Sequence, residues 1–133
     1  MAESRIATVR RMLDAWEALD VDAILATMTA DVRYHNVPLP LLEGQDAVRR
    51  WVMKFLDGIA SFRVEYCAEV ESDDLVFNER IDIVGYPDGR TAPIRIAGVF
   101  RFREGLICDW RDYFDLAEFR NNAKQQGPTG GRA

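Results

Sequence analysis

Three charged residues in the second half of the chain sit where a strand pattern calls for apolar side chains. Asp112 falls between Trp110 and Phe114 on the even-numbered face of an alternating stretch, with Leu106 and Cys108 before it. A lone carboxylate on an apolar face is costly unless it is paired or hydrogen-bonded. The stretch Leu75 to Val84 carries Val76, Asn78, Arg80, Asp82 and Val84 on its even face. If the even faces line one cavity, Arg80, Asp82 and Asp112 share it. A guanidinium can hold two carboxylates and offset their mutual repulsion. Unequal surroundings then keep one carboxyl protonated and the other ionised, which puts an acid and a base in one site. Tyr34 and Asn36, at i and i+2 on one strand face, add a phenol and an amide able to orient a water. His35 lies between them on the opposite face, so a role outside the pocket is expected of it.

Plainer readings compete with these. Asp112 would also be satisfied by solvent or by a backbone N–H near a sheet edge. Arg80 and Asp82 would make an ordinary solvated pair if Leu75, Phe77, Ile81 and Ile83 faced the core instead. Tyr34 and Asn36 would serve as loop caps ahead of Pro38. The parity of the neighbouring strands favours the cavity. It also leaves Phe77, Ile81, Ile83 and Val99 without cover from their own chain, which predicts a homodimer through the odd sheet face.

Those side chains must be positioned by elements that the spacing predicts. Ile6, Val9, Leu13 and Trp16 make one helical stripe, with Ser4 as its N-cap. Asp20 caps a second, short helix whose stripe is Val21, Ile24, Leu25 and Met28. A third helix runs from about Gln45 to Asp57 and stops at Gly58. Between the last two, residues 31–40 read as a short strand entering a proline-stiffened loop. The pattern then switches to period two. Phe62, Val64, Tyr66, Ala68 and Val70 alternate with polar residues up to a turn at Ser72-Asp73-Asp74. A strand follows from Leu75 to about Gly85, then a turn at Tyr86-Pro87-Asp88-Gly89. The next strand puts Ile94, Ile96, Gly98, Phe100 and Phe102 on its even face, and the last runs from Leu106 to Asp115. A short helix is expected from Leu116 to about Lys124. Helices followed by meandering strands make an α+β fold whose helices cover one face of the sheet. Residues 1–125 read as a single domain, and residues 126–133 as a Gly-rich disordered tail.

Composition narrows the function classes. The chain has 133 residues, 48% hydrophobic and 29% charged, with 17 basic against 22 acidic residues and a net charge of −5. An acidic chain with no basic block is a poor partner for nucleic acid or anionic membranes. No apolar run approaches the ~18 residues of a membrane span. The N-terminus has no apolar signal-peptide core, so a cytoplasmic location is expected, with Cys67 and Cys108 reduced. They form no cluster of the metal-binding kind.

Four motifs in order carry a family resemblance: YHNVPLP from Tyr34 to Pro40, NERID from Asn78 to Asp82, GVFRF from Gly98 to Phe102, and DWRDYFD from Asp109 to Asp115. Together they resemble the limonene-1,2-epoxide hydrolase family, over nearly the whole chain to about Phe119. The resemblance implies a strongly curved mixed β-sheet cone, like that of nuclear transport factor 2, with N-terminal helices closing a deep pocket. It implies that Asp82 is the general acid that protonates an epoxide oxygen. Asp112 would be the base that deprotonates the attacking water, held with it by Tyr34 and Asn36. Arg80 would orient both carboxylates. The short N-terminus is a departure, and implies that any extra helix closing the pocket in longer relatives is missing.

Acid and base must flank the ring for such a reaction, and no metal or organic cofactor is required. An apolar lining of Leu39, Trp51, Phe55, Ile94, Ile96, Phe100, Trp110 and Phe114 is expected around a hydrophobic, cyclic or terpene-like epoxide, with plain core packing as the competing role for each. Two other functions fit a cone fold: an isomerase or cyclase, steroid isomerase-like or polyketide-cyclase-like, and a non-catalytic small-molecule binding module. Neither has an evident use for an arginine flanked by two aspartates.

Overall fold

The computed structural model describes residues 3–125; the tail expected at 126–133 lies outside them. The chain opens with α1 (Arg5–Glu17) and α2 (Val21–Leu25). The Ser4 hydroxyl accepts from the Ala7 N–H at 3.0 Å, and Asp20 accepts from the Ala23 N–H at 3.1 Å. Both thus satisfy a backbone donor that the helix cannot. Then come β1 (Met28–Asn36), β2 (Leu42–Glu43) and α3 (Gln45–Asp57). Four long strands follow: β3 (Ser61–Ser72), β4 (Leu75–Gly85), β5 (Thr91–Arg103) and β6 (Leu106–Tyr113), with α4 (Leu116–Gln125) last.

The six strands form one curved mixed sheet in the order β2-β1-β6-β5-β4-β3. Only β1 and β6 run parallel; the other neighbours are antiparallel. The β5–β6 turn places Glu104 and Gly105 at φ 53° and 81°, the left-handed pair that lets a two-residue hairpin follow the sheet's twist. Helices cover one face. Val9, Met12 and Leu13 of α1, Ile24 of α2, and Val48 and Val52 of α3 are fully or almost fully buried with Val76, Val84, Phe100, Ile107 and Trp110 of the sheet. The expected α+β class and helix-covered sheet are thus found.

Three local expectations fail. Met28 continues the helical spacing of α2 but begins β1, where it pairs with Ile107. The Thr27 carbonyl already accepts from the Ile107 N–H, so sheet pairing takes over where a five-residue helix has little to gain. Ala68 and Val70 do not face inward. A β-bulge at Cys67 separates the Tyr66–Arg80 and Ala68–Glu79 pairs, and beyond it the side-chain parity reverses. Val70 is therefore 58% exposed, while Glu69 and Glu71 turn toward α1 and pair with Arg10 and Arg5. A second bulge, at Cys108, separates the Arg101–Asp109 and Phe102–Ile107 pairs. Ile107 is buried as a result, and Leu106 and Cys108 are not.

Candidate active site

Between the two bulges the even-face parity is unbroken, and there the polar residues meet. Asn36 pairs with Asp112, Asp112 with Gly98, and Gly98 with Asn78, which makes one row across four strands. Arg80 lies opposite Ile96 in the next row and Asp82 opposite Ile94 in the one after. Their exposures are 1% for Arg80, 4% for Asp82 and 2% for Asp112.

The Arg80 guanidinium ties these groups together. Its Nε donates to Asp82 Oδ1 at 2.9 Å, and its Nη2 donates both to Asp82 Oδ2 at 3.2 Å and to Asp112 Oδ2 at 2.6 Å. The two carboxylate oxygens on Nη2 can lie no further apart than those bonds laid end to end. Nη1 donates to Asn78 Oδ1 at 2.9 Å. Asp112 Oδ1 accepts from the Trp110 indole N–H at 2.7 Å. The Tyr34 hydroxyl, 3.4 Å from Asn36 Oδ1, completes the row's end, and its ring stacks on Trp110 with centroids 4.2 Å apart.

One cation and two carboxylates in a dry place cannot all be charged cheaply. Burial pushes the Asp82 carboxyl up, Arg80 pulls it back and the Asp112 carboxylate pushes it up again, which leaves it raised to about 6. Burial would also weaken the charge on Arg80, but Asp112 and Asp82 more than offset this and hold its proton more firmly than usual. Burial, and then Asp112, push the Tyr34 phenol well above its ordinary value, so it stays a donor. The cluster thus has one carboxyl inclined to hold a proton, one carboxylate already engaged by two donors, and a clamp that keeps its charge.

A cavity of about 240 Å³ opens over this cluster. Its walls include Tyr34, Asn36, Asp82 and Asp112 together with seven of the eight apolar residues expected: Leu39, Trp51, Phe55, Ile94, Ile96, Trp110 and Phe114. Phe100 is the exception. It is fully buried, one row away between Val76 and Trp110, with its ring 5.4 Å from the Trp110 ring. It packs behind the cavity wall and belongs to the core. His35 lies outside the pocket, where its Nε2 is 2.9 Å from the Leu39 carbonyl oxygen. Among the described residues, no group of three or more His, Cys, Asp or Glu is placed to hold a metal ion, and no helix is long and apolar enough to cross a membrane.

Comparison with known proteins places this geometry. Residues 9–110 match the model of the SnoaL-like domain. The chain belongs to the SnoaL-like domain family. It is similar to the epoxide hydrolase EphG of Mycobacterium tuberculosis, with 29% identity over 114 residues that cover 81% of this chain and 71% of that protein. Among solved structures, an LEH-like epoxide hydrolase from M. tuberculosis shares the fold at TM-score 0.78 and 24% identity, covering 89% of this chain and 87% of its own. SalBIII, an epoxide hydrolase/cyclase-like enzyme of salinomycin pyran ring formation, shares it at TM-score 0.76 and 21% identity, with 86% and 92% covered. This SnoaL-like domain therefore has the cone expected from its motifs.

Residues without a role in the sequence reading complete the site. Asn78 anchors the third arm of Arg80. A Cβ on Gly98 would stand 2.6 Å from Arg80 Nη1, 2.8 Å from Asn78 Oδ1 and 2.9 Å from Asp112 Oδ1, so only glycine leaves room for the clamp. Both lie on the even face beside predicted site residues, and a mid-strand glycine signals a close approach. Leu13 and Trp16 of α1, Phe62 of β3, and Leu116, Phe119 and Arg120 of α4 also line the cavity.

Proposed function

We propose that this protein is an epoxide hydrolase that adds water to a small hydrophobic epoxide and releases a vicinal diol in one step. Asp82, whose carboxyl keeps its proton up to about pH 6, protonates the epoxide oxygen. Asp112 takes a proton from a water that Tyr34 and Asn36 help to orient, and that water attacks ring carbon from the opposite side. Arg80 fixes the two carboxyls relative to one another through its bonds to both. The observation that carries this reading is one buried guanidinium bonded to two aspartates that both line one apolar cavity. The similarity to EphG supports it. A cyclic, terpene-sized epoxide such as limonene oxide suits the aromatic walls, and a homodimer acting in the cytoplasm is part of the same proposal.

The decisive experiment offers the enzyme a panel of cyclic epoxides and an enone steroid. Diol formation supports the reading. Turnover of the steroid alone would replace it with an isomerase, and apolar ligands that raise the melting temperature without turnover would replace it with a binding module.

A further inference from the structure

The cavity is lined by groups of opposite charge at different depths. Its floor holds the buried Asp82 and Asp112 carboxyls. Its rim holds Arg120, which is exposed and lines the cavity from α4. Leu116, Phe119 and Arg120 stand at i, i+3 and i+4, one face of the helix, and all three border the cavity. Arg120 is the cation among the described residues that line it.

Among the described residues, that charge has no partner in the fold. Several other surface arginines are committed: Arg10 to Glu69, Arg33 to Glu43, Arg101 to Asp74; Arg50, which like Arg120 has no such partner among the described residues, does not line the cavity. Glu118 on the same helix is taken by Arg95, and the Asp115 side chain accepts from the Glu118 backbone N–H. No ion pair or hydrogen bond engages Arg120 among the described residues. The negative end of α4 is already answered by Lys124 in its last turn and by Arg90 Nη1, which donates to the Ala123 carbonyl at 2.9 Å. Arg120 and Lys124 stand four apart, a like-charge pair that slightly weakens a helix.

A neutral epoxide gives a cation at the rim nothing to bind. We propose that Arg120 is a subsite for an anion at the far end of the substrate, so that the substrate is an apolar epoxide carrying a carboxylate or a similar group opposite the ring. The aspartates on the floor repel such a group and the rim attracts it, so the substrate enters in one direction with its epoxide inward. On a chain of net charge −5, a local cation also offsets the general repulsion of an anionic ligand. The placement of the epoxide rests on the hydrolase reading above; the anion subsite rests on Arg120 alone.

The test has two arms. All three tryptophans line the cavity, so their fluorescence reports binding directly. The wild type should bind octanoate more tightly than methyl octanoate, with a preference that shrinks as salt is added. Arg120→Gln should weaken octanoate binding about fivefold against the ester, and Arg120→Lys should keep part of the preference. In the second arm, kcat/KM is measured for octanoate bearing a terminal epoxide and for its methyl ester. The acid-to-ester ratio should fall toward one in Arg120→Gln, through KM. Equal octanoate affinity in wild type and Arg120→Gln, or an equal loss for acid and ester, overturns the proposal. If no diol forms from either compound or from the panel of cyclic epoxides while octanoate binding still depends on Arg120, the hydrolase reading falls and the anion subsite stands.

Discussion

Asp82→Asn should end hydrolysis and at the same time make the protein relatively more stable toward alkaline pH. The magnitude follows from the site. The Asp82 carboxyl is raised from 3.8 to about 6, chiefly by burial. Between those values the native protein keeps a proton that the unfolded chain has released. Stability therefore falls as pH rises through the window, by up to ~1.4 kcal/mol per pH unit for one proton. The contribution is fully present below the unfolded value and is lost once pH passes about 6, a total of about 3 kcal/mol. Asparagine keeps the shape of the protonated carboxyl and has no proton to lose. The stability difference, variant minus wild type, should thus rise by about 3 kcal/mol from about pH 4 to about pH 7.5, and titrating groups that do not interact with Asp82 cancel in it. Urea unfolding of both proteins across that range measures it. The same proton sets activity: kcat/KM of the wild type should fall as pH rises through about 6, since the acid is then ionised. A stability difference that is flat in pH would mean that Asp82 is ionised throughout, and it would remove Asp82 from the role of acid.

Gly98→Ala should displace the clamp, at a cost of about 1–3 kcal/mol in stability for the overpacked methyl and at least ~10²-fold in turnover; unchanged melting and activity would show that the close contacts at Gly98 do not matter. Ile81→Asp should dissociate the expected dimer or unfold the chain, because Ile81 shares the outer sheet face with Phe77, which is 44% exposed; a wild type that sediments only as monomer at micromolar concentration would refute the interface. Asp112 as a base acting through water predicts that a single turnover in heavy-oxygen water puts label into the diol, whereas unlabelled diol with label in the peptide containing Asp112 would mean direct attack by the carboxylate.

The legible parts of this fold are those where a period runs uninterrupted. α3 and β4 match their expected spans because apolar residues mark one helical face in the first and turn residues, Ser72-Asp73-Asp74 and Tyr86-Pro87-Asp88-Gly89, bound the second. β2 was not foreseen, since two residues, Leu42 and Glu43, carry no period. Met28 fits a helical stripe and a strand equally, and pairing with Ile107 decides the matter outside any local window. Phe100 shows a different limit. Parity assigns a residue to a face, and the face toward the helices holds both core and cavity. Which of the two a side chain meets depends on how far along the strand the helices close over it. Asn78 was visible on the even face, but its use appears only when β5 presents a glycine opposite it.

The two bulges explain why the site could be located at all. A bulge reverses parity for every residue beyond it. In β3 the reversal begins past Tyr66, and in β6 it precedes Asp109. The span from Arg80 to Asp82 and from Trp110 to Asp112 lies between them, so the polar residues there keep the face that simple alternation assigns. β4, which carries the clamp, pairs without a shift to β5 over its whole length, from Leu75–Arg101 to Gly85–Thr91. Arg80 and Asp82 are therefore fixed by the sheet's most regular ladder, and Asp112 is fixed by its own pairs with Asn36 and Gly98. The irregular positions serve other ends: past Cys67 the reversed parity turns Glu69 and Glu71 toward Arg10 and Arg5 and ties α1 over the sheet. That helix brings Leu13 and Trp16 to the cavity. The regular ladders thus hold the Arg80, Asp82 and Asp112 cluster, and the bulge supports the helix that covers it.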